Sequence, residues 1–479
     1  MAVDQCSPLT EEPPAGLRRS IGAPGFFALS FGAIVGSGWV VVLGDWLARG
    51  GPGGVVVGFL AGGAVMVMIG LCYAELAARM PTAGGEFLYA REVLGPGAGF
   101  AVGWFLTLKL IAICAFEGIA LGVLLRQLLP GLGAGVLYSL LGQKITVLAL
   151  VSGWSVALGV GALNVSGAKV AVRVQTIVTG VFIGVMALAI AAGLIHGRPA
   201  NLRPVFPATP PLVWWRGALW VFSLSGMFLN GFQASLHGIE ERREGTSLRR
   251  AGLAMVCAIA AAALFYSAVV IAAATASPWE QLIKVDLPAA AAFAHSLPLV
   301  NLAVVVLVAA TLSLLKTWNA VAIMASRLIF AQARLGYLPR ALAGVSARAG
   351  APTRAIVLVT ALTMLCIPFG RGLILPIMNM CAMCLAASYV MCVAILLRLR
   401  ARPLANAAPP AFRVPGGRWL VWVSLVGAVV MSAAAILEPA FETGEIPLEW
   451  LWIAGWAACG AVVWIAVVRR RLHRKEISS

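Results

Sequence analysis

Long apolar runs alternate with short polar segments along almost the whole chain. A transmembrane α-helix needs about 20 consecutive apolar residues to cross a bilayer. The runs predict twelve helical spans, numbered 1 to 12, near residues 24–48, 54–79, 97–127, 145–163, 173–195, 213–238, 251–275, 298–331, 353–369, 372–398, 418–438 and 447–468. The pattern therefore predicts an all-α polytopic membrane protein with twelve transmembrane helices.

The composition excludes a water-soluble enzyme. Hydrophobic residues make up 61% of the 479 positions and charged residues 11%, whereas a soluble domain is roughly half apolar and about a quarter charged. The net charge of +17 does not indicate a nucleic-acid-binding protein, because the basic residues lie in short segments between apolar runs. The four histidines are scattered along the chain, so we expect no metal site and no cofactor.

The distribution of basic residues predicts the orientation in the membrane. With twelve spans, both ends of the chain lie on one side, and 25 of the 35 lysines and arginines fall there against 8 on the opposite side. Lysine and arginine accumulate in cytoplasmic loops. We therefore expect a multi-pass protein of the cell (plasma or inner) membrane with both termini cytoplasmic, namely a tail over 1–23 and a basic tail over 469–479.

Two spans contain interruptions near the middle of the membrane. Span 1 carries a Gly-Ser-Gly triplet at 36–38, and span 6 carries Asn230, Gly231 and Gln233. Such residues either let neighbouring helices pack closely or let a helix unwind and expose its N–H and C=O groups to a polar ligand. Spans 1 and 6 begin two sets of five, and paired interruptions at corresponding positions are typical of transporters built on inverted repeats.

The same residues resemble a known family. The triplet Gly36, Ser37 and Gly38 is similar to the first-helix substrate motif of the amino acid/polyamine/organocation (APC) permeases. Over roughly residues 20–400, further motifs follow in that family's order, including Tyr73, Glu75, Pro81, Gly84, Gly85, Glu86, Tyr89, Arg91, Gly103, Trp104, Asn164, Gly167, Lys169, Gly231, Phe232, Asn319, Arg327, Gly336 and Pro339.

The resemblance implies a LeuT-like fold. In it, ten core spans over 24–400 form a 5+5 inverted repeat, with halves at about 24–195 and 213–398. Two peripheral spans then occupy 401–468. The chain offers no room for an additional soluble domain of any size.

The resemblance also implies how a substrate is held. Its carboxylate would lie on backbone amides of Ser37 and Gly38, and its amino group would face the carbonyls of Ile34 and of Phe228 or Gly231. The implied substrate-binding residues are Ile34, Gly36, Ser37, Gly38, Phe228, Asn230, Gly231 and Gln233.

Charged residues inside apolar spans are costly and therefore informative. Lys109 and Glu117 lie in span 3 and Lys316 in span 8. The family often has a glutamate or aromatic residue at the first position, a small polar residue at the third, and a glutamate where this chain has Gln233. One interpretation is a cavity that accepts negative charge and disfavours a cationic substrate. The alternative is that both lysines snorkel or pair with Glu117 and Asp45 without touching substrate.

Lys169 is a second candidate for coupling. The resemblance implies that its ammonium reaches toward span 1, where sodium sits in sodium-coupled relatives. A buried lysine readily changes its protonation state, so it could exchange a proton during transport. The alternative is an ordinary cytoplasmic lysine at the start of span 5.

These features favour a secondary active amino acid transporter that works by alternating access and is coupled to protons. Within the transporter class, an amino acid exchanger and a polyamine or amine transporter stay open. A channel would need a continuous polar stripe or a ring of charges, a sensor would need an output domain, and a membrane enzyme would need clustered catalytic side chains. The expected partners are an amino acid, a proton and the lipid bilayer, with no nucleic acid, and the oligomeric state is left open.

Overall fold

The computed structural model describes residues 21–81, 84–129, 131, 135–140, 143–207, 214–285, 287–294, 302–346, 348–370, 374–402, 410–443 and 447–468. The predicted tails therefore lie outside the described residues, except for 21–23. Within these ranges the α-helices are α1 (Ala23–Ile34), α2 (Gly38–Val41), α3 (Leu43–Arg79), α4 (Glu86–Leu94), α5 (Pro96–Leu128), α6 (Val147–Val165), α7 (Ala168–His196), α8 (Trp214–Phe228), α9 (Ala234–His237), α10 (Leu248–Ala276), α11 (Trp279–Leu282), α12 (Pro288–Phe293), α13 (Leu302–Arg334), α14 (Thr353–Cys366), α15 (Ile374–Ala401), α16 (Gly417–Thr443) and α17 (Leu448–Val463).

Ten helical segments among the described residues are long and apolar enough to cross a membrane. Spans 6 and 9 correspond to shorter helices, α8 with α9 and α14. The prediction of a polytopic, largely α-helical membrane protein is confirmed. The number twelve stays a prediction, because it also counts these two shorter segments.

The boundary between spans 1 and 2 is a kink that divides α3 into two helical halves. Helix α3 runs from Leu43 to Arg79 and changes direction at Gly51, whose φ of 59° lies in the left-handed region. Glycine tolerates this conformation because it has no Cβ. Pro52 follows the bend, so the second half of α3 starts with a residue that suits the first turn of a helix.

One connecting segment of this largely helical structure forms a short hairpin. Between α5 and α6, β1 (Val136–Leu140) and β2 (Gln143–Thr146) form an antiparallel pair. This connection lies outside the apolar runs, where no helix satisfies its peptide groups, and pairing two short strands satisfies them locally. The Tyr138 hydroxyl also donates to the carbonyl of Pro368, at 2.5 Å, which attaches the hairpin to the end of span 9.

The broken first helix lies at the centre of the bundle. Helix α1 packs against α7, α10 and α13, and also against α9. Around it, α3 packs on α8 and α10, while α13 packs on α5. Helix α17 lies at the periphery, and almost all of its membrane-length window is exposed. The helices that surround α1 therefore supply the side chains of the candidate site.

A buried carboxylate joins three parts of the bundle on the side of the N-terminal tail. Glu75, near the end of α3, is fully buried and accepts hydrogen bonds from Arg79 at 2.7 Å and from Arg400 of α15. It also accepts from the backbone N–H of Val414 at 2.8 Å, just before α16. Removing one partner of such a pair leaves the other charge buried without compensation.

We expect Glu75→Gln to lower the free energy of unfolding by about 3 kcal/mol, because the amide cannot neutralise Arg400. Thermal unfolding in detergent, followed by tryptophan fluorescence, measures the change. Glu92→Gln is the matched control, because Glu92 pairs with Arg91 at an exposed position and such pairs contribute about 0.5 kcal/mol. Equal melting temperatures for the two variants would contradict the structural role of Glu75.

Candidate functional site

Two helical stretches of the core are interrupted. Helix α1 ends at Ile34 and α2 begins at Gly38, so residues 35–37 are not helical; we call them the first break. Helix α8 ends at Phe228 and α9 begins at Ala234, and residues 229–233 form the second break. A break frees N–H and C=O groups from the helical ladder, and inside a membrane these groups need other partners.

The second break packs directly against the end of α1, next to the first break. Gly231 in the second break has a φ of 118°, and a Cβ added there would lie 2.5 Å from the carbonyl carbon of Ala33. A Cβ added at Gly38 would likewise lie 2.6 Å from the ring of Phe228. Glycine is therefore required at both positions for the peptide groups of the two breaks to face one space.

Side chains of α13 and α10 donate hydrogen bonds to the carbonyls around the first break. The Ser313 hydroxyl donates to Val35 and Gly36 at 2.8 Å, and the Thr317 hydroxyl donates to Gly32 at 2.7 Å. On the other side, the Tyr266 hydroxyl donates to Ile34 at 3.1 Å. The Ile34 carbonyl, predicted to face the substrate's amino group, also accepts from the backbone N–H of Gly36 at 3.1 Å, so both of its lone pairs have partners.

Lys316 lies against the same carbonyls. Its ammonium donates to the Gly32 carbonyl at 3.3 Å and to the Val35 carbonyl, and it stands 4.5 Å from the centre of the Phe182 ring. Its side chain is 1% exposed. The interpretation that Lys316 snorkels to the membrane surface is therefore wrong, because its charge is held by carbonyl dipoles inside the bundle.

Glu117 of α5 reaches the first break from the opposite side. Its Oε2 accepts a hydrogen bond from the Ser37 hydroxyl at 2.8 Å, and Oε1 would lie 2.7 Å from a Cβ at Gly36. The carboxyl group is buried and faces the position that the resemblance assigns to a substrate carboxylate. Two like charges at this distance repel each other strongly in a buried site.

The second break is held by two side chains. The Lys109 ammonium donates to Oδ1 of Asn230 at 3.4 Å, and Oε1 of Gln233 accepts from the backbone N–H of Gly231 at 3.0 Å. Lys109 is 1% exposed and therefore does not snorkel either.

Residues of both breaks line one narrow cavity of about 50 Å³. Ligand pockets commonly have roughly 300–1,000 Å³, so the cavity in this structure has room for water-sized groups and must widen to hold an amino acid. Polar groups from the breaks, Glu117 and Thr317 occupy one part of the wall. The rest is apolar and is formed by Ile113, Phe116, Met227, Phe228, Val321, Ile377 and Met378.

A family model described as "Amino acid permease" matches residues 21–464, which is nearly the whole chain. The chain belongs to the amino acid permease family. The prediction of an APC superfamily permease is confirmed, and with it the assignment to transporters and not to enzymes.

Individual relatives of the permease differ in how much of the chain they match. The methylthioribose transporter of Bacillus subtilis is 24% identical over 95% of this chain and 94% of its own length. The branched-chain amino acid permease BcaP of Lactococcus lactis is 26% identical over 67% of this chain and 70% of its own length. The match to the amino-acid permease RocE of Bacillus subtilis reaches 33% identity but covers 24% of each chain.

Lys169 lies elsewhere in the permease than the resemblance implied. It is the second residue of α7 and is exposed. The physical reason is its position two residues after Gly167, where the chain turns and water can solvate an ammonium group. The lysine that contacts the carbonyls of the first helix is Lys316.

Three residues around the first break were missing from the sequence predictions. Ser313, Thr317 and Tyr266 all donate to its carbonyls. A signal for two of them exists in the sequence, because Ser313, Lys316 and Thr317 have i, i+3, i+4 spacing and therefore share one face of a helix. Tyr266 has no comparable signal, because no other polar residue stands three or four positions away from it in its apolar run.

We expect Gly231→Ala to destabilise the permease by about 2 kcal/mol, because a Cβ at this φ is strained and collides with Ala33. Substrate uptake should fall as well, since the second break can no longer pack against the end of α1. The matched control is Gly180→Ala in α7, where a Cβ meets nothing within 4 Å. Thermal unfolding and uptake in proteoliposomes test both variants, and an active, stable Gly231→Ala protein would refute the close approach.

Proposed function

We propose that the permease is a secondary active amino acid transporter that works by alternating access and couples uptake to protons. The observation that carries the proposal is the shared cavity between the two breaks. Exposed peptide groups offer partial charges of both signs, which suits a zwitterion without burying a permanent opposite charge. The family match and the branched-chain permease among its relatives support an amino acid as substrate.

The substrate's two charged groups have distinct places in this proposal. The carboxylate binds backbone amides at Ser37 and Gly38, where α2 begins and first-turn N–H groups have no intrahelical partner. The amino group binds the carbonyls of Phe228 and Gly231, beside that of Ile34. The side chain then lies among apolar residues such as Met227 and Ile377, which favours a neutral apolar amino acid over a polyamine.

Glu117 provides the coupling to protons. An ionised Glu117 would repel a substrate carboxylate beside Ser37, whereas a protonated carboxyl group keeps its hydrogen-bonding capacity without the charge. Proton and substrate therefore bind together and leave together, which is the condition for symport. Lys316 has the role that the resemblance implied for Lys169, because its ammonium links carbonyls of the first helix to α13.

A LeuT-like 5+5 inverted repeat is part of the same proposal. The breaks fall in spans 1 and 6, the first of each predicted set of five. The excess of basic residues on the side of the N-terminal tail supports cytoplasmic termini in a plasma or inner membrane. Alternating access then exposes the cavity to each side of that membrane in turn.

A neutral thioether solute is a second candidate substrate. The methylthioribose transporter matches this chain over almost its full length. The apolar wall with Met227 and Met378 is compatible with a thioether group. Methylthioribose has no carboxylate, however, and would leave the amides of the first break without an anionic partner.

We expect counterflow of labelled leucine in proteoliposomes to be inhibited by unlabelled isoleucine or methionine, and not by putrescine or arginine. The reason is the apolar wall of the cavity together with the two buried lysines. Methylthioribose is included in the competition panel, and liposomes without protein provide the background. Displacement by methylthioribose or putrescine alone would replace the amino acid as the proposed substrate.

We expect the KM of wild-type uptake to rise with increasing pH, because loss of the Glu117 proton opposes binding of the substrate carboxylate. In Glu117→Gln this position carries no charge at any pH, so the KM should stay flat and uptake should no longer respond to a pH gradient. Glu280→Gln, at an exposed carboxylate, should keep the wild-type profile. A pH-independent wild type, or strictly sodium-dependent uptake, would identify exchange or sodium coupling instead.

A further inference from the structure

A second buried polar cluster lies beside the cavity, on the side of the N-terminal tail. Glu86 is the first residue of α4, and its Oε2 lies 3.7 Å from Nε2 of His237 at the end of α9. Both side chains are 1% exposed. Neither helix carries any part of the cavity wall, so the cluster is separate from the proposed substrate site.

Titratable groups face Glu86 from every helix packed around it. Lys109 of α5 stabilises its charged form, Tyr73 of α3 lies beside it, and His237 faces it from α9. From α15 the cluster is completed by Tyr389 and Cys392, and Arg327 of α13 lies beyond His237.

The cluster contains polar atoms that lack hydrogen-bond partners. Among the described residues these are both carboxylate oxygens of Glu86, Nδ1 of His237, Nε2 of Gln233 and the hydroxyl of Tyr73. Tyr73 and Gln233 face the Glu86 carboxylate, so a small shift of these side chains, a water molecule or a proton satisfies the group. Burial raises the pKa of Glu86 above its usual value, while the nearby Lys109 opposes this change.

Two side chains connect this cluster to the second break. Lys109 donates to Asn230, which lines the substrate cavity. Gln233 faces Glu86 and accepts from the N–H of Gly231. A change of charge at Glu86 therefore acts on the two residues that hold the second break in place.

The two breaks have equivalent surroundings. The first break has Lys316 on one side and Glu117 on the other. At the second break the lysine is Lys109, which donates to the side chain of Asn230. The acid is Glu86, which lies near Lys109 and Gln233. Each break thus has one buried ammonium and one buried carboxyl group.

We propose that Glu86 is a second protonatable site of the permease, which accepts the transported proton and releases it on the side of the N-terminal tail. His237 and Lys109 position its carboxyl group. The proton moves on and off one Glu86 oxygen, and no other bond is made or broken. This inference rests on the proposed proton-coupled function.

The test compares two transport modes in proteoliposomes that contain the full chain. Counterflow of labelled leucine needs no net proton movement, whereas accumulation driven by an imposed pH gradient does. We expect Glu86→Gln to retain counterflow within about threefold of wild type and to lose gradient-driven accumulation, with no proton entry detected by lumenal pyranine. Glu92→Gln on the exposed face of the same helix is the matched control and should behave as wild type in both modes.

The possible outcomes separate this inference from the proposed function. Wild-type accumulation and pH dependence in a folded Glu86→Gln protein would overturn it, and so would equal loss of counterflow and accumulation, which indicates a role in substrate binding. Sodium-stimulated uptake that disappears in this variant would overturn it in favour of a cation site. Absence of counterflow in the wild type would instead refute the proposed function.

If Glu86→Gln does not fold, because Lys109 is left with an uncompensated charge, Glu86→Asp takes its place. The shorter carboxyl group keeps its charge near Lys109 but lies farther from His237. We expect the pH midpoint of gradient-driven accumulation to shift in Glu86→Asp, while counterflow stays within about threefold of wild type. An unchanged midpoint in a folded Glu86→Asp protein would overturn the proposal.

Discussion

Backbone carbonyls that are freed where a membrane helix is interrupted need new hydrogen-bond partners, and the rest of this structure depends on that requirement. No water in lipid replaces the lost helical hydrogen bonds, so every freed carbonyl of the first break needs a partner from the bundle. Those partners come mainly from one face of α13, with a further donor from α10: Ser313, Lys316, Thr317 and Tyr266. The break exists because these donors meet it, and the cavity exists because the break does.

The same constraint explains the unusual charges of this chain. An intramembrane lysine is costly unless carbonyl dipoles or a carboxylate compensate it. Lys316 is compensated by the carbonyls of Gly32 and Val35, and Lys109 contacts Asn230. Glu117 and Glu86 then bring negative charge into the same region. Groups that stabilise the breaks are thus also the groups whose protonation can be linked to substrate binding.

The sequence predicts the features that depend on residues close together in the chain. The apolar runs located the helices, and Gly36 and Gly231 indicated both interruptions. Prediction was weaker where the partner is distant. Motif position predicts that the Lys169 ammonium reaches toward the first helix, yet Lys169 is exposed. The lysine that contacts the carbonyls of the first helix is Lys316 of α13. The hairpin β1–β2 was missed because its strands are short and the residues of β1 are exposed.

The sequence by itself determined the membrane class, the family and the glycines that permit two breaks, because hydropathy and steric freedom are properties of consecutive residues. Only the tertiary structure decided which buried charge meets which peptide group. In helices that are apolar on every face, periodicity carries no information about facing. The contacts of Glu117 with Ser37 and of Lys316 with Val35 are fixed by helix packing, which brings together residues 80 and 281 positions apart.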